Sequence, residues 1–132
     1  MRAPGPHPRG FTLIELLVVM AALGLLLAVV APQYVQHVDR ARETALRQNL
    51  ASLRDVIDKF HADRARYPVK LDELVTEHYL RSLPVDPLTE RSDTWVLVAP
   101  NSQVGVAAGT AIFDVRSGAP GRAKDGSLYA SW

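Results

Sequence analysis

The chain has 132 residues, no cysteine and a formal net charge of +1, with 15 basic residues against 14 acidic ones. That length allows one modest domain and an extra segment. The missing cysteines exclude a disulfide-stapled fold and thiolate chemistry, and the balanced charge gives no ground for a nucleic-acid partner.

In chain order, the first ten residues, MRAPGPHPRG, hold Arg2, Arg9 and three prolines. The twenty-one residues from Phe11 to Ala31 follow, and Glu15 is the only charged one among them. As a helix rising 1.5 Å per residue, that run would measure about 32 Å, close to the thickness of one bilayer core. It is longer than the apolar region of a secretory signal peptide, is not followed by a well-formed small-residue cleavage motif, and contains a carboxylate. A plain signal anchor is the stronger alternative. On either reading the leader arginines place the N-terminus in the cytoplasm, by the positive-inside rule.

Pro32 removes an intrahelical donor and clashes with the preceding turn, so a kink or local opening is expected there. The helical pattern resumes at once. Apolar residues at Tyr34, Val38, Ala41, Ala45, Leu50, Leu53, Val56, Ile57 and Phe60 keep close to a 3.6-residue repeat. Glu43/Arg47 and Asp55/Lys59 stand at i,i+4 with the acid first, the favourable order. One helix from about Thr12 to Arg64 is predicted, with an amphipathic second half on which a small domain sits.

Arg66-Tyr67-Pro68 should end that helix, because proline disfavours helical geometry in the residue before it. Leu71 to Leu80 reads as a short helix with early acids, and Leu83 to Pro87 as a turn-rich connector. Thr94–Val98 and Thr110–Val115 read as strands; Val104 to Ala108 is a further short strand or a loop. Asp125-Gly126 marks a tight turn before a last extended piece, Ser127 to Trp132. Asp72, Glu73 and Asp86 read as solvated acids.

The junction Arg9-Gly10-Phe11-Thr12-Leu13-Ile14-Glu15, opening an apolar helix, resembles the prepilin signature of type IV pilins and of the pseudopilins of type II secretion systems. The resemblance implies cleavage by a membrane peptidase between Gly10 and Phe11, and N-methylation of Phe11. Gly24 and Pro32 fall where helices of that family commonly carry a glycine and a kinking proline. A glycine suits the cut because it lets a protease approach the scissile backbone closely.

Downstream, Tyr67-Pro68, Leu71 to Leu74, Tyr79-Leu80, Leu83-Pro84 and Asp86-Pro87 before a small sheet resemble the major, G-type pseudopilin. The implied fold is α+β and type IV pilin-like: a long N-terminal helix, membrane-spanning then amphipathic, packed on a small C-terminal antiparallel β-sheet. The expected parts are a leader (1–10), a transmembrane and filament-core helix (11–32), the amphipathic half of the helix (33–66) and a small periplasmic part (67–132). Many pilins carry a C-terminal cysteine pair and major pseudopilins often do not, so its absence leans towards secretion.

Glu15 is then the telling residue. A carboxylate near the bilayer centre costs about 2.5–3.5 kcal/mol on insertion scales, and less near a helix end. The bland reading is a tolerated near-terminal acid. The functional reading pairs Glu15 with the Phe11 amine of a neighbouring subunit, fixing axial register in a low-dielectric core. Beside the Gly10-Phe11 junction the second is preferred.

Many G-type pseudopilins bind calcium in a C-terminal loop rich in Asp and Gly, and Asp114 and Asp125 are the only candidates for that role here. Calcium takes 6–8 oxygens, and Arg122 and Lys124 crowd the segment. The preferred reading is a hairpin held by packing of Tyr129 and Trp132, with no cofactor.

No HExxH, GxSxG, P-loop or GxGxxG motif occurs, and no serine has a recognisable base near it in sequence. The expectation is therefore a non-enzymatic pseudopilin of a type II secretion pseudopilus. It would sit in the bacterial inner membrane as a single-pass protein, with its C-terminal part in the periplasm. The implied partners are the prepilin peptidase, other copies of itself, other pseudopilins and the assembly platform, with no nucleic acid. A type IV (minor) pilin and a signal-anchored periplasmic binding domain stay open as alternatives.

Overall fold

The structure is a computed structural model that describes residues 1, 5, 9–101, 104 and 110–132. Arg2, His7 and the leader prolines lie outside the described residues, as does 105–108 of the expected third strand. The chain divides into two compact units, Met1–Val38 and Asp39–Trp132. The elements are α1 (Leu13–Arg64), α2 (Leu71–Thr76), β1 (Val96–Val98), β2 (Asp114–Arg116) and a short 3₁₀ turn, Tyr129–Ser131.

In the first unit α1 is apolar on every side and unburied, with Ile14, Leu17, Leu25 and Val29 all exposed. Apolar all round is the pattern of a membrane span or of a helix buried among others. Helix α1 is long and apolar enough to cross a membrane. It continues through Pro32 without interruption.

In the second unit the helix becomes one-sided. Leu46, Leu50, Leu53, Ile57 and Phe60 recur at intervals of three or four residues and are buried, joined by Val56. They form the core with Leu74, Trp95, Ile112 and Val115. The core begins at Leu46, which the sequence reading passed over for Ala45. Tyr34 and Ala41, placed on the stripe by periodicity, are exposed. Of the two expected i,i+4 pairs only Lys59–Asp55 forms, at 2.7 Å. Glu43 and Arg47 each reach instead to the C-terminal loop.

Helix α1 ends where expected. Ala65 turns into the left-handed region (φ 52) and donates its N–H to the His61 carbonyl at 2.8 Å. Helix α2 is shorter than the Leu71–Leu80 reading, because His78 at φ 63 closes it. Tyr79 N–H bonds to the Leu74 carbonyl (2.9 Å) and His78 N–H to that of Val75 (3.1 Å), the paired bonds of a Schellman stop. Glu73 in its first turn ties down the chain entering it, accepting from the Val69 N–H at 2.9 Å and from Arg66 at 3.0 Å. Burial pushes the Glu73 carboxyl up, but the Val69 N–H and Arg66 outweigh it, and its pKa lies below the ordinary glutamate value.

The sheet has two antiparallel strands, with Val96 opposite Arg116 and Val98 opposite Asp114. Val104 adds a single bridge to Val98. Both strands are shorter than predicted. Ile112 donates its N–H to the Pro68 carbonyl (2.8 Å) rather than to a ladder, and Thr94 is held by a hydroxyl contact with Thr89 at 2.6 Å. Gly118 packs so tightly on Thr94 that an added Cβ would lie 2.0 Å from its carbonyl oxygen.

Two further expectations are corrected. Asp86 is fully buried, not solvated: it accepts from Ser117 Oγ at 2.7 Å and from the Leu88 N–H at 2.8 Å, pinning the connector to the strand end. Ser127 to Trp132 is not extended. Ser131 and Trp132 donate back to Leu128 and Tyr129, coiling the segment and setting the Tyr129 and Trp132 rings edge to face at 5.3 Å. The Asp125-Gly126 turn is present, with Gly126 at φ 86 and its N–H on the Ala123 carbonyl.

Candidate functional site

The residues singled out by sequence gather at the start of α1. Thr12 is the N-cap, with its carbonyl accepting from the Leu16 N–H at 3.3 Å. Its hydroxyl accepts from the Glu15 N–H at 3.3 Å. In return Glu15 Oε2 accepts from the Thr12 N–H at 2.9 Å and from the Thr12 hydroxyl at 3.2 Å. These reciprocal bonds form a capping box, which satisfies two donors that a helix start leaves unpaired. Thr12 is the functional neighbour that the sequence reading missed. Its signal was legible, since Thr-x-x-Glu before an apolar run is the capping-box pattern.

The box fixes where the carboxylate points. Glu15 Oε2 lies 2.9 Å from the nitrogen of Thr12, one peptide unit beyond the Phe11 nitrogen. Arg9, Gly10, Phe11, Thr12 and Glu15 line one open depression. Phe11 is 91% exposed. A Cβ added at Gly10 would touch nothing within 4 Å, and the same holds at Gly24. Among the described residues nothing therefore requires a glycine at either position.

Among its described residues the second unit offers no comparable site. Among the described residues no three His, Asp or Glu side chains cluster as a metal site, and every buried side-chain polar atom has a partner. Ser117 and Asp86 are hydrogen-bonded, but both are sealed from solvent, as a structural lock is. His61 stacks on Tyr67 at 4.1 Å. Asp114 is bound by Arg54 at 2.6 Å and Asp125 by Arg47 at 2.9 Å. An apolar depression lined by Leu71, Leu83, Trp95 and Leu97 also carries Lys70 and Asp93, with Asp93 paired to Arg91.

Residues 6–31 match the family model described as the prokaryotic N-terminal methylation motif. The chain is 34% identical over 94 residues to the type II secretion system core protein G of Pseudomonas aeruginosa, covering 59% of this chain and 66% of the relative. It is 32% identical over 95 residues to the protein of the same name from Klebsiella pneumoniae, covering 60% and 68%. A type IV major pilin protein, PilA of Myxococcus xanthus, is 36% identical over 62 residues, covering 47% of this chain and 28% of the relative. The chain thus spans about two thirds of the length of the core protein G relatives. No solved structure matches. With the methylation motif at its N-terminus and this similarity continuing into its second unit, the chain belongs to the type II secretion system core protein G family of pseudopilins.

Proposed function

We propose that the chain is a precursor cut between Gly10 and Phe11 by a prepilin peptidase, N-methylated on Phe11, and assembled through residues 11–32 into a type II secretion pseudopilus that helps to export folded proteins. Before assembly the apolar half of α1 anchors the subunit in the inner membrane, with the leader in the cytoplasm and the globular part in the periplasm. The kink expected at Pro32 marks the passage from the spanning to the amphipathic half. The role is structural, without chemical turnover. Other pseudopilins and the inner-membrane assembly platform are its further partners.

The observation that carries this reading is the placement of Glu15. The one carboxylate of the apolar run is held by Thr12 one peptide unit from the Phe11 nitrogen. The cut turns that nitrogen into a cation, and the amine of one subunit then meets the Glu15 carboxylate of the next. In a low-dielectric core such a pair specifies register. The absence of any need for glycine at position 10 within the chain supports an external reason for it, which is protease access.

A second reading, a type IV pilus subunit, is favoured by the similarity to the pilin of Myxococcus xanthus. It shares the processing step and differs only in the filament served.

The test is the intact mass of the full chain co-expressed with a prepilin peptidase. A product that begins at methylated Phe11 in the wild type, and an uncut chain in Gly10→Arg, are the expected results. A wild-type chain that keeps its leader beside an active peptidase would sink the precursor reading. Glu15→Ala should still insert and be cut but yield few filaments; normal yield would remove Glu15 from assembly.

A further inference from the structure

The loop after β2 closes on α1 through one ring of contacts. Arg47 Nη2 donates to Asp125 Oδ2 at 2.9 Å. The Ser127 N–H and hydroxyl donate to Asp125 Oδ1 at 2.9 and 2.6 Å. The Trp132 indole N–H donates to Ser127 Oγ at 2.7 Å, and the Arg47 guanidinium lies 4.0 Å over the Trp132 ring. Each member thus fixes the next, and the ring returns to Arg47. Beside it Glu43 Oε1 accepts from the Tyr129 hydroxyl at 2.9 Å and from the Lys124 N–H at 3.1 Å.

We propose that the 121–132 loop is clasped to α1 by the guanidinium of Arg47, a cation supplied by the chain itself, and that the loop closes without a metal ion. The G-type resemblance raises calcium at this loop, and the donor set does not fit it. Both oxygens of Asp125 are occupied, one of them by a cation. The other candidate, Asp114, gives Oδ1 to Arg54 at 2.6 Å and to the Val115 N–H at 2.7 Å. Calcium prefers 6–8 oxygens. Two guanidinium groups already on these carboxylates would repel it at short range. An exposed ion pair alone contributes little. Here the planar guanidinium meets a carboxylate and an aromatic face together, an arrangement that a lysine or a spherical ion does not reproduce.

The inference stands whether or not the N-terminus is cut. It is tested by hydrogen exchange on the full chain in detergent. In Arg47→Ala the Lys124, Ser127 and Trp132 amides should exchange faster by about tenfold, a local opening, while the Leu53 and Ile57 amides keep their wild-type rates. In the wild type, calcium or a chelator should leave the loop rates unchanged. If Arg47→Ala also loosens the core amides, Asp125→Asn, which removes the charge but keeps the shape, decides the matter by the same loop amides. Slowing of the loop by calcium in the wild type, or wild-type loop rates in the deciding variant, would overturn the proposal.

Discussion

The two halves of α1 are rich in the same large aliphatic side chains and use them in opposite ways. Before Val38 they surround the helix, and Leu25 is 71% exposed. After Asp39 they fall on one stripe, and Leu53 is fully buried. The first half is apolar around its whole surface, the pattern of a membrane span or of a helix among other helices. The second offers one face to its own sheet and the other to water. A single helix thus carries two kinds of surface, and the switch is written in the spacing of its apolar residues rather than in their number.

The sharpest way to break that comparison is to make one chemical change in both halves. Leu53→Ala should destabilise the second unit by about 2–5 kcal/mol, the cost of a buried leucine deletion. Leu25→Ala should leave the unit's thermal midpoint in detergent unchanged. Equal shifts in the two would show that the first half is part of the folded core after all.

Gly118→Ala puts a methyl group against the Thr94 carbonyl and should cost about 1–3 kcal/mol by overpacking, read as a lower denaturant midpoint at constant slope. A neutral result would mean that the 94–118 approach opens at no cost. Ser117→Ala removes one donor from the buried Asp86 carboxylate and should cost about 1–3 kcal/mol. The same measurement checks it, with Ser131→Ala, exposed in the sequence-distant 3₁₀ turn, as the reference.

The smallest effect is on pH. The Ser127 hydroxyl and N–H, with Arg47, hold the Asp125 carboxyl below its ordinary value of 3.8. A depressed carboxyl stabilises the fold above its unfolded pKa, and that contribution is lost as pH falls through the lower folded value. Burial and then Glu43 push the Tyr129 phenol above its ordinary 10.0. Its contribution is full below that value and is lost as pH rises through the raised one. The Trp132 environment should therefore stay constant from about pH 4 to 10 and loosen beyond either end. Near-ultraviolet circular dichroism against Trp132→Phe would read this, and a transition at neutral pH would contradict it.

The site was largely legible because it is local. Gly10, Phe11, Thr12 and Glu15 lie within six residues at the entry to α1, where short-range rules of capping and charge in apolar runs apply. The stripe from Leu50 to Phe60 was legible for the same reason, since a 3.6-residue period is a local property. So was the stop before Pro68.

What only the tertiary structure decided lies where partners are far apart in sequence. Asp86 reads as a solvated turn acid until Ser117, thirty-one residues on, closes over it. Glu43 and Arg47 read as a helical pair, but the loop at 124–132 offers each a better partner. Glu43 gains a phenol and an amide, and Arg47 gains a carboxylate together with an aromatic face. The second strand starts late because Ile112 gives its N–H to the Pro68 carbonyl, and Gly118 packs directly on the Thr94 carbonyl. The sequence determined the helix, the change in spacing of its apolar residues and the lone carboxylate four residues after Phe11, because each depends on neighbours a few residues away. Which polar groups are buried, and which charges meet, depended on long-range contacts, where many acids and arginines compete and geometry alone selects the pairs.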